Sequence, residues 1–228
     1  MSLSNIYKTL TSLDSQYVSF PAFAEATKII EENIELYKHT KLAHHLLIFG
    51  ESGTGKSSIC NWVATRYERS SLSDREVIPV LVVSIPAAAT ISGIVSAMLK
   101  SLGDPFPDHG TTTARNSRVV TLCRECRVIA ILFDEAQHLH DRGQWATHYM
   151  VGDWLKALID KIAVPTTFLG LPRLEQLLQV NEQLRRRFSR RIWLDLGQDD
   201  GAAHVACLQL FSTLAASLPI QVNHSPYS

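Results

Sequence analysis

Gly50-Glu51-Ser52-Gly53-Thr54-Gly55-Lys56-Ser57 is the stretch that decides the fold of this 228-residue chain. It fits G-x-x-x-x-G-K-[ST], the phosphate-loop pattern. Its context counts as much as its letters. Leu46-Leu47-Ile48-Phe49 precedes it, a short apolar run of the kind that makes a buried parallel strand. A helix is predicted from Lys56 to about Tyr67. Strand, glycine-rich turn and helix together aim backbone N–H groups and a helix N-terminus at one anion. Lys56 is expected to reach the β- and γ-phosphates of ATP, and the Ser57 hydroxyl to ligate Mg²⁺. Gly50, Ser52, Gly53, Thr54, Gly55 and Ser58 complete the predicted cradle.

A second motif lies downstream. Ile131-Leu132-Phe133-Asp134-Glu135 is an apolar strand closed by two carboxylates, the Walker B pattern. Asp134 is expected to hold the magnesium through its water shell. Glu135 is expected to orient and polarise the attacking water, because γ-phosphoryl transfer needs an in-line nucleophile. Two carboxylates also serve glycoside hydrolysis. Neighbours on a strand end point opposite ways, which disfavours a substrate held between them.

The remaining chain alternates the same two elements. Apolar residues at helical spacing run from Ala22 to Lys38, with Pro21 where a first turn tolerates it. Strands are predicted at Val77–Ile85, Val128–Phe133, Pro165–Leu169 and, as an alternating edge strand, Arg191–Leu196. Helices are predicted at Thr90–Leu102, Ala114–Arg127, Met150–Ile162, Leu174–Val180 and Ala202–Leu218. A short basic helix or turn falls at Leu184–Phe188, loops at 68–76 and 104–113, and an irregular or partly helical segment at 136–148. This alternation predicts a parallel sheet flanked by helices. The expected organisation is an N-terminal extension and first helix over 1–40, an ATPase core over 41–200, and the start of a further helical region over 201–228.

Composition sets the outer limits. The chain is 46% hydrophobic and 19% charged, enough to bury a core. Lys+Arg and Asp+Glu both number 22, so a strongly basic or acidic tail is excluded. No apolar run reaches the roughly 18 residues of a membrane span. The first residues lack a signal-peptide pattern, so a cytoplasmic chain with no membrane partner is expected. Cys123 and Cys126 have C-x-x-C spacing without a second pair, and read as one helix face before a strand rather than a zinc site. Arg185-Arg186-Arg187-Phe188-Ser189-Arg190-Arg191 packs five arginines into seven positions. Three readings stand for it: contact with nucleic-acid phosphates, an arginine finger to a neighbour's γ-phosphate, or a plain structural role as a solvated face or in pairing with Asp195, Asp199 and Asp200.

With these residues in hand, the chain resembles the AAA+ ATPases, and within them the TniB family of transposition helpers, relatives of MuB and TnsC. The segments that carry the resemblance are Tyr17–Pro21, the phosphate loop, Leu102–Phe106, Asp134–Leu139, Ile162–Gly170, Gln183–Phe188 and Leu218-Pro219. The resemblance implies an ATP·Mg²⁺-dependent ATPase that assembles as a ring or filament on double-stranded DNA without strong sequence preference. It implies partnership with a transposase and a TniQ-like target-selection protein. It marks Arg187 as the finger, with Arg186 second. Two departures stand out. The strand after Walker B ends in Gly170-Leu171, so the polar sensor expected there is absent or supplied by Thr166 or Thr167. The helical lid is expected to be truncated or absent. Two other readings remain: an AAA+ module of a secretion or protein-remodelling machine without a DNA role, and a nucleotide-gated binding protein with little hydrolysis.

Overall fold

The computed structural model describes residues 20–73, 75–87, 90–139 and 145–194, with Val205, Leu208 and Ser212. The element order is α1 (Pro21–Thr40), β1 (Leu46–Gly50), α2 (Lys56–Arg66), β2 (Ser70–Ser71), β3 (Glu76–Val77), β4 (Val80–Ser84), α3 (Ile91–Ser101) and α4 (Thr112–Glu125). It continues with β5 (Ala130–Asp134), a 3₁₀ turn (Ala136–Leu139), α5 (Trp145–Ile162), β6 (Thr166–Gly170), α6 (Leu174–Val180), α7 (Glu182–Arg187) and β7 (Arg190–Leu194).

Five strands form one parallel sheet in the order β4-β5-β6-β1-β7. β1 and β5 are buried along their whole length, as their unbroken apolar runs require. Side chains alternate between the two faces. Leu47, Phe49, Leu81, Val83, Ile131, Phe133 and Phe168 pack with residues of α3 to α7. Leu46, Ile48, Val80, Ala130, Leu132, Leu169 and Ile192 pack with α1 and α2. The result is a three-layer α/β/α sandwich. α1 contributes Phe23, Ala26, Ile29, Ile30 and Ile34, the apolar stripe read from its sequence. No helix among the described residues is long and apolar enough to cross a membrane.

Most boundaries shift by one or two residues, and three differences bear on the fold. The expected strand Val77–Ile85 is split: Glu76 and Val77 pair antiparallel with Ser70 and Ser71, inside what reads as a loop. Pro79 separates this small hairpin from β4, since proline has no N–H to give a ladder. Its carbonyl still accepts from the Ile129 and Ala130 amides. α5 begins at Trp145 rather than Met150. Third, the edge strand starts at Arg190, and its exposure alternates as expected, with Ile192 and Leu194 buried and Arg191 and Trp193 exposed. Of the predicted last helix, Val205, Leu208 and Ser212 are helical. Its other residues, like those before Phe20, lie outside the described set.

An aromatic stack anchors the basic turn to the sheet. Phe188 is fully buried, with its ring 4.7 Å from Phe168 and 5.2 Å from His45. His45 Nδ1 accepts the Thr166 N–H at 3.2 Å, so this ring nitrogen carries no proton. Burial, and then the nearby Arg187 charge, push the His45 pKa down from 6.5 to about 4, against the opposing pull of Asp160.

Because the folded pKa lies below the unfolded one, the unfolded chain takes up the proton first as pH falls. The contribution of His45 to stability is intact above about pH 6.5 and drains away toward pH 4. Between pH 7 and 4, the unfolding free energy of His45→Gln should gain on the wild type by roughly 3 kcal/mol. Denaturant titrations across that range check this, and a pH-independent difference would refute it.

Candidate nucleotide-binding site

Parallel pairing brings the C-terminal ends of the strands to one edge. There β1 ends at Gly50, β4 at Ser84, β5 at Asp134 and β6 at Gly170. Crevices at this edge of open α/β sheets are where ligands bind.

The phosphate loop leaves β1 in a tight curl. Gly53 and Gly55 sit at φ 83° and 88°, a region where a Cβ is strained. Gly50 is needed for space instead, because a Cβ there would lie 2.4 Å from Thr54 Oγ1. Thr54 Oγ1 donates to the Glu51 carbonyl at 2.9 Å. Lys56 Nζ turns back into the loop and donates to the carbonyls of Gly50 (2.8 Å) and Glu51 (2.6 Å). α2 starts at Lys56 with Gly55 before it and no side-chain cap. The first amides of that helix therefore have no partner from the helix itself and face the crevice mouth with its positive dipole end. Ser52, Gly53 and Ser57 are exposed there, and Ser58 is half-buried. Phe20 and Phe23, with ring centroids 5.9 Å apart, flank Gly55. The sequence reading gave this aromatic pair no role at the loop.

The carboxylates meet the loop from β5. Ser57 Oγ donates to Asp134 Oδ2 at 2.6 Å, across 77 residues of chain. Asp134 Oδ1 accepts the Glu135 N–H at 2.8 Å. Burial pulls the Lys56 pKa below its ordinary value, while the charges of Glu135, Asp134 and Glu51 oppose the shift. The three acids thus share the field of one buried ammonium. The Ser57 hydroxyl and Asp134 carboxylate are hard oxygen donors side by side. One or two such donors, with phosphate oxygens and waters completing the shell, suit magnesium.

Glu135 departs from the strand at φ 55°, in the left-handed region. Its carboxylate, 42% exposed, accepts from Gln137 Nε2, and His138 Nε2 lies 3.8 Å from the same oxygen. Neither threonine proposed as a sensor reaches this edge. Thr166 pairs with Ile131 and Thr167 with Leu132, at the far end of the strands from Asp134. The Thr166 hydroxyl donates to the Val164 carbonyl. Of the two alternatives, supply of the sensor by Thr166 or Thr167 is the one corrected: the side chain seated over the end of β6 is Gln137, from the turn after the Walker B strand.

The arginines lie elsewhere. β7 runs parallel to β1, with Arg190 beside Leu46 and Leu194 beside Gly50. Arg187 therefore sits at the opposite end of the sheet from its own phosphate loop, at least about 13 Å of strand away. It pairs with Asp160 at 2.7 Å. Arg186 pairs with Glu182 and Arg191 with Glu175. The partners of this patch are on α5, α6 and α7; Asp195, Asp199 and Asp200 fall outside the described residues. Cys123 and Cys126 are both buried, and burial pushes the Cys123 thiol up to about 12.

A five-stranded parallel sheet with a phosphate loop after β1 and an acidic pair after β5 defines a P-loop AAA+ fold. Solved structures agree. Cdc6p from Pyrobaculum aerophilum superposes with a TM-score of 0.62 at 14% identity, over 91% of this chain and 52% of its own. The Aeropyrum pernix ORC2 protein, solved in ADPNP–ADP complexes, gives 0.63 at 13% identity over 90% and 55%. ORC1 from the same organism, in complex with DNA, gives 0.59 at 18% identity over 87% and 50%. The chain thus spans about half the length of each of these proteins. No curated protein matches it. The family described as "Bacterial TniB protein" matches residues 12–194, and the chain belongs to that family.

Gly50 offers a direct check of the cradle. Gly50→Ala forces a methyl against Thr54 Oγ1 and the Leu194 backbone. It should cost about 1–3 kcal/mol in chemical denaturation and weaken ATP binding, whereas unchanged stability would mean that the loop opens freely.

Proposed function

We propose that this chain is an ATP-hydrolysing regulator of DNA transposition that assembles on double-stranded DNA and recruits or activates a transposase. The observation that carries the reading is the Ser57–Asp134 hydrogen bond beside Lys56. It supports the reading of the glycine-rich loop as a phosphate cradle, of Ser57 and Asp134 as a metal-binding oxygen pair, and of Glu135 as the base. Membership of the TniB family supplies the transposition context.

In this reading, the amides from Gly53 to Ser58 hold the phosphates. Lys56 exchanges its contacts with the Gly50 and Glu51 carbonyls for β- and γ-phosphate oxygens. Ser57 and Asp134 would hold Mg²⁺, which when bound would supply positive charge at the phosphates. Glu135 orients a water and takes its proton as the water oxygen bonds to the γ-phosphorus. The bond from phosphorus to the bridging oxygen breaks, leaving ADP and phosphate. Arg187 lies a strand length from its own loop, so it serves the site of a neighbouring copy in a ring or filament. Its pairing with Asp160 holds the guanidinium ready at the edge. ATP then favours assembly, and hydrolysis favours release. A TniQ-like target-selection protein is a further partner in this scheme.

Two experiments test this. Glu135→Gln should keep ATP and lose turnover by about 10²-fold or more. Arg187→Ala should also be inactive, and mixing the two should restore part of the activity, because Glu135→Gln lends its arginine to the partner's intact base. No rescue on mixing would count against a shared site. For the DNA role, the chain should co-sediment with duplex DNA more strongly with ATP than with ADP, and less so as salt rises. Absence of binding with either nucleotide would sink the transposition reading.

A further inference from the structure

Gln137 is nearly fully buried, at 3% exposure, although it lies in a short 3₁₀ turn at a ligand crevice. A buried amide must find partners at both ends, and this one does. Its Oε1 accepts the Leu171 N–H at 3.1 Å. An N–H needs an oxygen, so the amide has only one possible orientation: Nε2 points at Glu135 and donates to its Oε2. His138 Nε2 lies 3.8 Å from the same Oε2, so both neighbours gather on one oxygen of the carboxylate.

Gly170 bears on the same point. Its φ is not positive, so nothing in its backbone conformation calls for glycine. A Cβ there would lie 2.9 Å from Gln137 Oε1 and 3.0 Å from Gln137 N. The missing side chain is the space the amide occupies. Glu135 is held at its other end too. Its left-handed backbone is tied by the hydrogen bond from its N–H to Asp134 Oδ1. Such a conformation persists where the surroundings over-determine it. Backbone and carboxylate are both pinned, and the pins come from Asp134 and Gln137.

We infer that Gln137, seated on Gly170 and fixed by the Leu171 amide, is a positioning residue that holds the Glu135 carboxylate with one oxygen engaged and the other presented to water. The inference rests on the proposed ATPase reading and adds the device that aims its base. It also connects the base to the segment after β6, which leads through α6 and α7 to Arg187. A purely structural Gln137 would need only the Leu171 bond, and its loss would lower stability without touching turnover selectively.

The test uses Gln137→Met, which keeps length but cannot donate, and Gly170→Ala, which crowds the amide while leaving Gln137 and Glu135 in place. Each should lower kcat about tenfold, with ATP affinity within about twofold of wild type. The double variant should be no slower than the slower single one, since both act through one bond. A readout independent of turnover is the Gln137 side-chain NH₂ resonance in ¹⁵N-labelled protein. It should move toward the free-glutamine position in Glu135→Ala and in Gly170→Ala. Wild-type kcat in Gln137→Met, multiplied losses in the double variant, or an unmoved NH₂ signal in Glu135→Ala would each overturn the inference alone. A wild-type chain that binds ATP without hydrolysing it would overturn the ATPase reading and this inference together.

Discussion

The hydrogen bond from Ser57 to Asp134 is the contact on which the site depends. β1 and β5 are not neighbours; β6 lies between them. Their ends meet only because three parallel strands keep register, with Leu47 beside Phe168 and Phe133 beside Phe168 in turn. The cores on both faces maintain that register, since a slip of one residue would send every inward side chain to the wrong face. Core packing and the geometry of the candidate site are therefore one constraint seen from two ends of the strands.

Electrostatics follows from the same placement. Lys56 is buried and loses hydration, which alone would favour its neutral form. Asp134, Glu135 and Glu51 offset that cost, and its hydrogen bonds to two loop carbonyls satisfy the ammonium. The same positive charge that balances the acids is the one a polyphosphate would meet. At the other end of the sheet the balance is different. Arg187, His45 and Asp160 form a small group in which His45 stays neutral, so the arginine keeps its carboxylate partner without a competing cation.

Much of this was legible in the sequence because it depends on local pattern. Continuous apolar runs marked β1 and β5, and the glycine spacing marked the loop between β1 and α2. The small β2–β3 hairpin was not legible. Ser70-Ser71 has no strand character of its own, and a two-residue pairing is decided by what lies across from it. Val77 read as part of one long strand because proline's lost N–H matters only once a ladder partner is known. The alternative in which Thr166 or Thr167 supplies the sensor failed for a related reason. Thr166 and Thr167 are polar and near in sequence, but strand register puts them at the wrong end.

The sequence by itself determined the fold family. Glycines that tolerate positive φ, a lysine and serine after them, and two acids closing an apolar strand allow few other readings. Tertiary structure alone decided how those groups are aimed. Gln137 showed no periodicity or spacing signal, and it gained meaning only when the end of β6 came beneath it and Gly170 left it room. Arg187 was singled out by resemblance, but only parallel pairing of β7 with β1 places it a strand length from its own loop. Local sequence sets which hydrogen-bonding groups exist, whereas distances between groups far apart in the chain are set by how the sheet and its two cores close around them.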